Sequence, residues 1–449
     1  MTPLRNLPGL LRSHILLFKG KEMIIKFGDF GWRLLQIIAI LLLAGQPASA
    51  TETWTLAKSV QRAMDVAPEQ QEALAGIAVR QSELNQSTKW PNPTVSLRAQ
   101  NRLGLQDGRG GYNVDQLIIN QPLPLLRLQK QEAVAAKQLS AEQALADQSR
   151  LTLQYDISRF YYALLLSHEK LLLAEQRQRF THSIQQAQSR RTTPVIQYIN
   201  PLDRHRIELL DEMAGRALLN ARTVFTDTLH MFRLRLELPD QESVDLPDLQ
   251  PAPAPRPLTT LRQRLKKSSA SLKQLHYQVE ATQAGVDLER FRKYGDPVVS
   301  LIHERDVLAG RRQNFNGIMI SVPVPLWDYN QANVARAEAE VMRNKSRLRI
   351  TQRNLHAQLE QSYLNLSQLL EQLRSINKRM LEPAEKLLAL TRQSYAVGEV
   401  NSLNLIDAYN TYFDTRNSAL DMMFQSQIAA VDLHMAVGDP LLAQAEVQP

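Results

Sequence analysis

From residue 125 to residue 193 the chain holds neither proline nor glycine, and this run of 69 residues predicts one helix of roughly 100 Å at 1.5 Å per residue. A second run, from about Asp328 to Val397, is interrupted only by Pro383, whose missing N–H predicts a kink or a break into a shorter segment. Within it Leu355, Leu359, Ser362, Leu366, Leu369, Leu373, Ile376 and Met380 alternate spacings of four and three, a heptad stripe of coiled-coil type. The first run carries a looser stripe, Leu153, Ile157, Phe160, Leu164, His168 and Leu171. Both stripes predict packing, with His168 at the edge of a core rather than a ligand.

Elsewhere the period changes from helical to twofold. In Thr94–Arg102, Val95, Leu97 and Ala99 alternate with Thr94, Ser96, Arg98, Gln100 and Arg102, as in a strand with one face in lipid and one in water. Its predicted partner is Tyr112–Gln121, reached through the glycine-rich loop 104–111. A second pair, Val298–Asp306 and Phe315–Val322, alternates less cleanly, because His303 and Glu304 stand side by side.

These elements occur twice. Lys89–Leu97 matches Lys293–Leu301 at an offset of 204, Ile119–Leu125 matches Ile320–Leu326 at 201, and Asn200–Asp203 matches Asn404–Asp407 at 204. Three matches in one order at nearly one offset read as an internal duplication. Each copy reads helix, strand, loop, strand, very long helix, sharp turn, helix. Residues 239–257, with six prolines in nineteen positions, form an extended linker that cannot be helix. The expected organisation is a leader at 1–50, a first repeat at 51–238, the linker at 239–257, a second repeat at 258–440 and a tail at 441–449.

The leader reads as a cleaved secretory signal. Lys26 and Arg33 precede an apolar core at 34–44, and Ala48 and Ala50 form an A-x-A site. Met23 is a second candidate start. Eleven residues of helix cover about 16 Å, short of a bilayer core of about 30 Å. The net charge of +8 falls to +4 without the leader, and the basic residues are mixed with acids along the helices. No basic patch for nucleic acid stands out. With no cysteine, disulfides, thiolate metal sites and cysteine-linked lipid anchors are excluded. The nine histidines form no paired ligand spacing, no nucleophile elbow or phosphate loop is found, and Met422 and Met423 face different ways. No enzyme activity, metal or cofactor is expected.

Four strands cannot close a transmembrane barrel, for which eight is about the minimum, and unpaired edges in lipid are prohibitive. If the strands span a bilayer, several chains must share one barrel; three copies would give twelve strands, above a ring of helices that encloses water. The helix-tip turns are then the functional candidates. Gly398 suits a left-handed C-cap and Asn401-Ser402 a helix start. The first copy uses Thr192-Thr193-Pro194 and Asn200-Pro201, with Pro201 at a first helical turn. Asp203 and Asp407 are expected about two turns into the returning helices; three copies of each would ring an opening and favour cations, although both also suit an ordinary helix N-terminus.

The duplicated order, the signal, Ser394-Tyr395-Ala396-Val397-Gly398 and the P-x-P-L strand ends resemble the TolC-like outer membrane efflux proteins over about residues 52–438. The resemblance implies a mainly α fold with a small β part. In it, duplicated strand and helix-hairpin halves assemble as a homotrimer. A 12-stranded barrel in outer membrane lipid would be continuous with a periplasmic α-helical barrel. It also implies a periplasmic adaptor and an inner membrane pump of RND, ABC or MFS type as partners. Tyr395 matches the family's tip tyrosine, Gly398 its turn glycine and Asp407 the second of its two acidic entrance positions. The first falls on Asn404, the family's basic residue on Val400 and its first-half acid on Asn200, so the polar latch is dismantled. Tyr395, Gly398, Val400, Pro194 and Pro201 are the candidate adaptor contacts; Asp407, Asn404, Asp203 and Asn200 are the candidate constriction. The expected function is the exit duct of a tripartite efflux pump. Alternatives are the duct of a type I protein secretion system and, in another class, a soluble periplasmic coiled-coil adaptor. An adaptor needs one hairpin where this chain has two.

Overall fold

In a computed structural model of the chain, the described residues are 53–100, 114–190, 201–240, 243–308 and 311–440. The leader, the loop 104–111, the turn 192–194, Asn200 and the tail lie outside them. The first half runs α1 (Leu56–Val66), α2 (Pro68–Ser87), β1 (Thr94–Gln100), β2 (Val114–Pro122), α3 (Arg127–Arg190) and α4 (Pro201–Arg235). The second runs α5 (Leu258–Ser268), α6 (Ala270–Arg292), β3 (Val298–Leu308), β4 (Arg311–Ser321), α7 (Gln331–Ile376), a π-helical turn at Asn377–Leu381, α8 (Glu382–Val397) and α9 (Ser402–Val437).

The long proline-free run is one helix of 64 residues, α3. Each half opens with two helices where the sequence suggests one. Pro68, which has no N–H to give, starts α2, and Ser269 caps α6 by accepting from the Leu272 amide at 3.3 Å. The Pro383 expectation holds with a specific geometry. Pro383 cannot donate to the carbonyl four residues back, and the helix before it widens so that the Glu382 N–H reaches the Asn377 carbonyl.

That turn inserts one residue into the helical register and corrects one expectation. Leu359, Leu366 and Leu373 are buried as the heptad predicts, but Met380 is 54% exposed. The extra residue rotates the following surface by about 100°, so Ala384 and Leu388 take the inward positions instead. In α3, Leu153, Ile157 and Leu164 are buried, and His168 lies at the core's edge with its ring 5.4 Å from that of Phe225.

All four strands form one antiparallel sheet in the order β1-β2-β3-β4, so the central β2–β3 pairing joins the two halves. Its register places Val95, Ile119, Leu301 and Ile318 in one row on one face, all of them exposed. The other face carries Thr94, Asn120 and Ser300, then Arg98, Gln116 and Glu304, polar rows that end on β4 in Met319 and Phe315; Ser300 donates to Asn120 at 2.6 Å and Gln116 to Glu304 at 3.0 Å. His303 and Glu304 thus part to opposite faces, and His303 bonds Asn316 at 2.8 Å on the apolar side. Arg127, at the foot of α3, grips Asp296 before β3 with Nε at 2.9 Å from both carboxylate oxygens, tying the halves together below the sheet.

The helices pack side by side. Near the sheet the neighbours run α2–α3–α6–α7; at the far end they run α4–α3–α9–α8. Two clusters lie between. Trp54, Ile157, Leu164, Phe232 and Leu249 form one, and Leu265, Leu359, Leu366, Leu433 and Val437 belong to the other. Residues 243–257 hold no helix or strand, and they are docked. Leu249 is buried and its amide donates to Glu169 at 3.1 Å; Ala252 is buried and donates to Ser426 at 3.1 Å.

Candidate functional site

At the far end of the helices, α8 returns into α9 through a turn built by its own sequence. Gly398 has φ 86° and donates to the carbonyl of Tyr395 at 3.2 Å, and Glu399 donates to that of Ser394 at 2.9 Å. Only a residue without Cβ takes that left-handed position cheaply, so the helix stops there. Asn401 then caps α9, its side chain accepting from the Asn404 amide at 3.0 Å. Val400 is half-buried between the two. Pro201 is the first residue of α4. Pro194 and Asn200 lie outside the described residues.

The tip is held by packing. Ile184, Ile207 and Leu405 form a buried cluster with Phe180, Leu388 and half-buried Tyr395 around it. One turn deeper, Tyr409 is fully buried, its ring 5.2 Å from that of Phe180 and 4.7 Å from that of Phe413. Arg177 donates to the Tyr409 hydroxyl at 3.0 Å and its guanidinium lies 5.3 Å from the same ring. Burial pushes the Tyr409 hydroxyl's pKa up, against the pull of Arg177.

The structure separates the two candidate acids. Asp203 is half-buried; it accepts from Ser402 Oγ at 2.6 Å and faces Arg206 at 3.5 Å. Its carboxylate therefore ties the start of α4 to the start of α9. Asp407 is exposed and has no hydrogen bond or ion pair among the described residues. Asn404 is exposed too, and the spacing of three sets it on the same face of α9 as Asp407.

Sequence reasoning missed the Ser402–Asp203 contact and the Arg177–Tyr409 contact. Their separations of 199 and 232 residues match neither repeat offset, so nothing in the chain flags them. It also missed Thr181, fully buried, which donates to Asp211 at 2.6 Å, with His182 at 3.5 Å from the same carboxylate. On α4, Arg204 and then His205 hold the Glu208 carboxyl below its ordinary pKa. Among the described residues, no three His, Asp or Glu side chains gather as metal ligands, and no helix is long and apolar enough to cross a membrane.

Comparison with known proteins extends this geometry. The outer membrane efflux protein family model matches residues 261–439. The cobalt-zinc-cadmium resistance protein CzcC of Cupriavidus metallidurans is 27% identical over 183 residues, 41% of this chain and 43% of that protein, so the match spans less than half of the relative's length. Among solved structures, the outer membrane protein VceC of Vibrio cholerae superposes with a TM-score of 0.68 at 13% identity, over 86% of this chain and 96% of that one. The open-state MtrE outer membrane channel of Neisseria gonorrhoeae gives 0.66 at 16% identity, over 86% and 89%. The chain resembles TolC-like outer membrane efflux proteins in sequence over its second half and in fold over most of its length.

Proposed function

We propose that this chain is one third of an outer membrane exit duct that passively conducts cargo from a periplasmic adaptor and an inner membrane pump to the outside. The observation that carries the reading is the four-stranded sheet with β1 and β4 as open edges and an exposed apolar row, Val95, Ile119, Leu301 and Ile318, on one face. An open edge in hydrocarbon leaves backbone groups unsatisfied at several kcal/mol each, roughly. Joining β4 of one chain to β1 of the next removes both edges, and three chains make a barrel of twelve strands. The polar face then lines water. Trp90, Tyr294 and Trp327 are exposed at the strand–helix junctions, where amphipathic rings suit a lipid–water interface.

In this reading the helices continue the bore into the periplasm, and the chain reaches the outer membrane through a cleaved signal at 1–50. Asn404 and Asp407 line the inner opening, while Asp203 serves as a tie rather than a lining group. Energy comes from the pump. The relative CzcC is named for cobalt, zinc and cadmium resistance, and three Asp407 carboxylates around one axis suit cations, so metal cations are the cargo class to test first. Membrane fractionation followed by imaging of the detergent-solubilised particle tests the whole reading. Outer membrane trimers with a central bore are expected; a soluble periplasmic monomer would overturn it.

A further inference from the structure

The junction between sheet and helices carries the same pair of side chains twice. Lys89-Trp90 precedes β1 and Lys293-Tyr294 precedes β3, at the repeat offset of 204. All four are exposed, and the Lys293 ammonium lies 4.7 Å from the centre of the Tyr294 ring. A lysine just past a helix end suits the carbonyl end of that helix; an exposed aromatic ring beside it, in both copies, does not follow from that. At the foot of β4 the apolar positions Ile318 and Ile320 continue past the strand as Val322, Val324 and Leu326, all exposed, and end at exposed Tyr329 and at Trp327, 88% exposed. The acids at this level are engaged within the chain. Asp296 is held by Arg127, Asp328 accepts from the Asn330 amide at 2.8 Å, and Glu289 is held by Arg292 at 2.7 Å. Lys89 and Lys293 carry no salt bridge among the described residues.

We infer that this junction selects an anionic phospholipid from the leaflet nearer the helices, Lys89 and Lys293 holding its phosphodiester while the neighbouring rings lie against its glycerol and upper acyl chains. The inference rests on the duct reading above and adds the chemistry of the lipid that the wall prefers. Contact with lipid of any kind needs only the apolar row of the sheet. A preference for negative headgroups needs cations without acidic partners at headgroup depth, and the two lysines are that. The order of groups along the chain fits. Apolar side chains occupy the strands, aromatic rings their feet, and each lysine stands next to a ring, where its four-carbon stem lies on apolar surface and its ammonium reaches the phosphate layer. A zwitterionic lipid brings its own ammonium, which competes with lysine for the same phosphate; an anionic lipid brings none. A lysine at an anionic surface favours it by on the order of fivefold.

The tryptophans make the junction its own reporter. Outside the leader the chain has three, Trp54, Trp90 and Trp327; Trp54 is buried among the helices, and the other two stand at the junction. The full-length protein is reconstituted into vesicles of phosphatidylcholine brominated on its acyl chains, which quenches the emission of a tryptophan it touches. Unbrominated phosphatidylglycerol then replaces part of the lipid, and the recovery of emission gives the preference for it. A preference of about fivefold is expected at low salt, falling to near parity in Lys89→Gln with Lys293→Gln. Lys89→Arg with Lys293→Arg should keep it. In the unaltered protein about 0.5 M salt should abolish it, since exposed charges are then screened, and this arm needs no variant to fold. Strong quenching with equal binding of the two lipids overturns the lipid selection and leaves the duct standing, as does a preference that survives both the glutamine pair and salt. No quenching by brominated lipid at all overturns both.

Discussion

Asp203 and Asp407 occupy matching positions in the two repeats, yet one is engaged and the other is bare. Asp203 accepts from Ser402, while Asp407 is exposed and has no hydrogen bond or ion pair among the described residues. Asp407→Ala should therefore change conductance or cation preference in planar bilayers with little effect on stability; unchanged selectivity would remove it from the bore. Ser402→Ala should act the other way, costing about 1 kcal/mol of stability by leaving Asp203 short of a donor, read as a lower Tm. His434 supplies a pH response. Burial depresses its pKa, with Asp439 opposing and Arg256 and Arg264 assisting the shift. The unfolded chain takes the proton first as pH falls, so the contribution of neutral His434 is complete above an unfolded pKa of about 6.5 and declines below it, by at most about 1.4 kcal/mol per pH unit. The fall in Tm between pH 7.5 and 5.5 should be shallower in His434→Gln. None of these distinctions was legible in the chain, because two aspartates in equivalent sequence settings differ only by what the facing helix presents.

At the scale of elements, the local chemistry of the ends was legible and the phase of the long helix was not. Gly398 and Gly438 both hold left-handed C-caps, with φ 86° and 78°. At Gly438 an added Cβ would also stand 3.0 Å from Ser269 Cα, a backbone atom that cannot swing away. Both changes to alanine should destabilise, Gly398→Ala by about 1 kcal/mol and Gly438→Ala by more; equal Tm losses would refute the close approach. The heptad stripe in the second long helix extrapolated correctly to Leu373 and failed at Met380, since a π turn advances the register by one residue. Pro383 pointed to a disturbance. The structure shows that the helix widens there, with α9 packed along both flanks of the turn.

The whole molecule turns on the sheet's two faces. Ile318→Arg puts a charge in the most apolar row and, in a barrel, costs roughly 2–4 kcal/mol near the bilayer midplane; outer membrane trimer should fall sharply. Thr94→Lys, on the polar face, should be tolerated. Equal effects of the two would argue against lipid on the apolar side. The four strands were found from their period of two, but their order was not. That β2 pairs with β3, across the duplication, depends on contacts some 180 residues apart. The linker shows the same limit: its prolines ruled out helix, while its docking through Leu249 and Ala252 required partners on α3 and α9.

By itself the amino-acid order determined what depends on neighbours a few residues away. It set which segments are helix or strand, which positions are apolar, and that the pattern occurs twice. Periodicity, caps and proline chemistry are local, and a linear pattern carries them in full. Tertiary structure alone decided which acid is tied and which is free, where the helical register slips, and how the halves join in one sheet. Each of these is a relation between surfaces distant in the chain, and such surfaces acquire partners only when the helices are laid side by side.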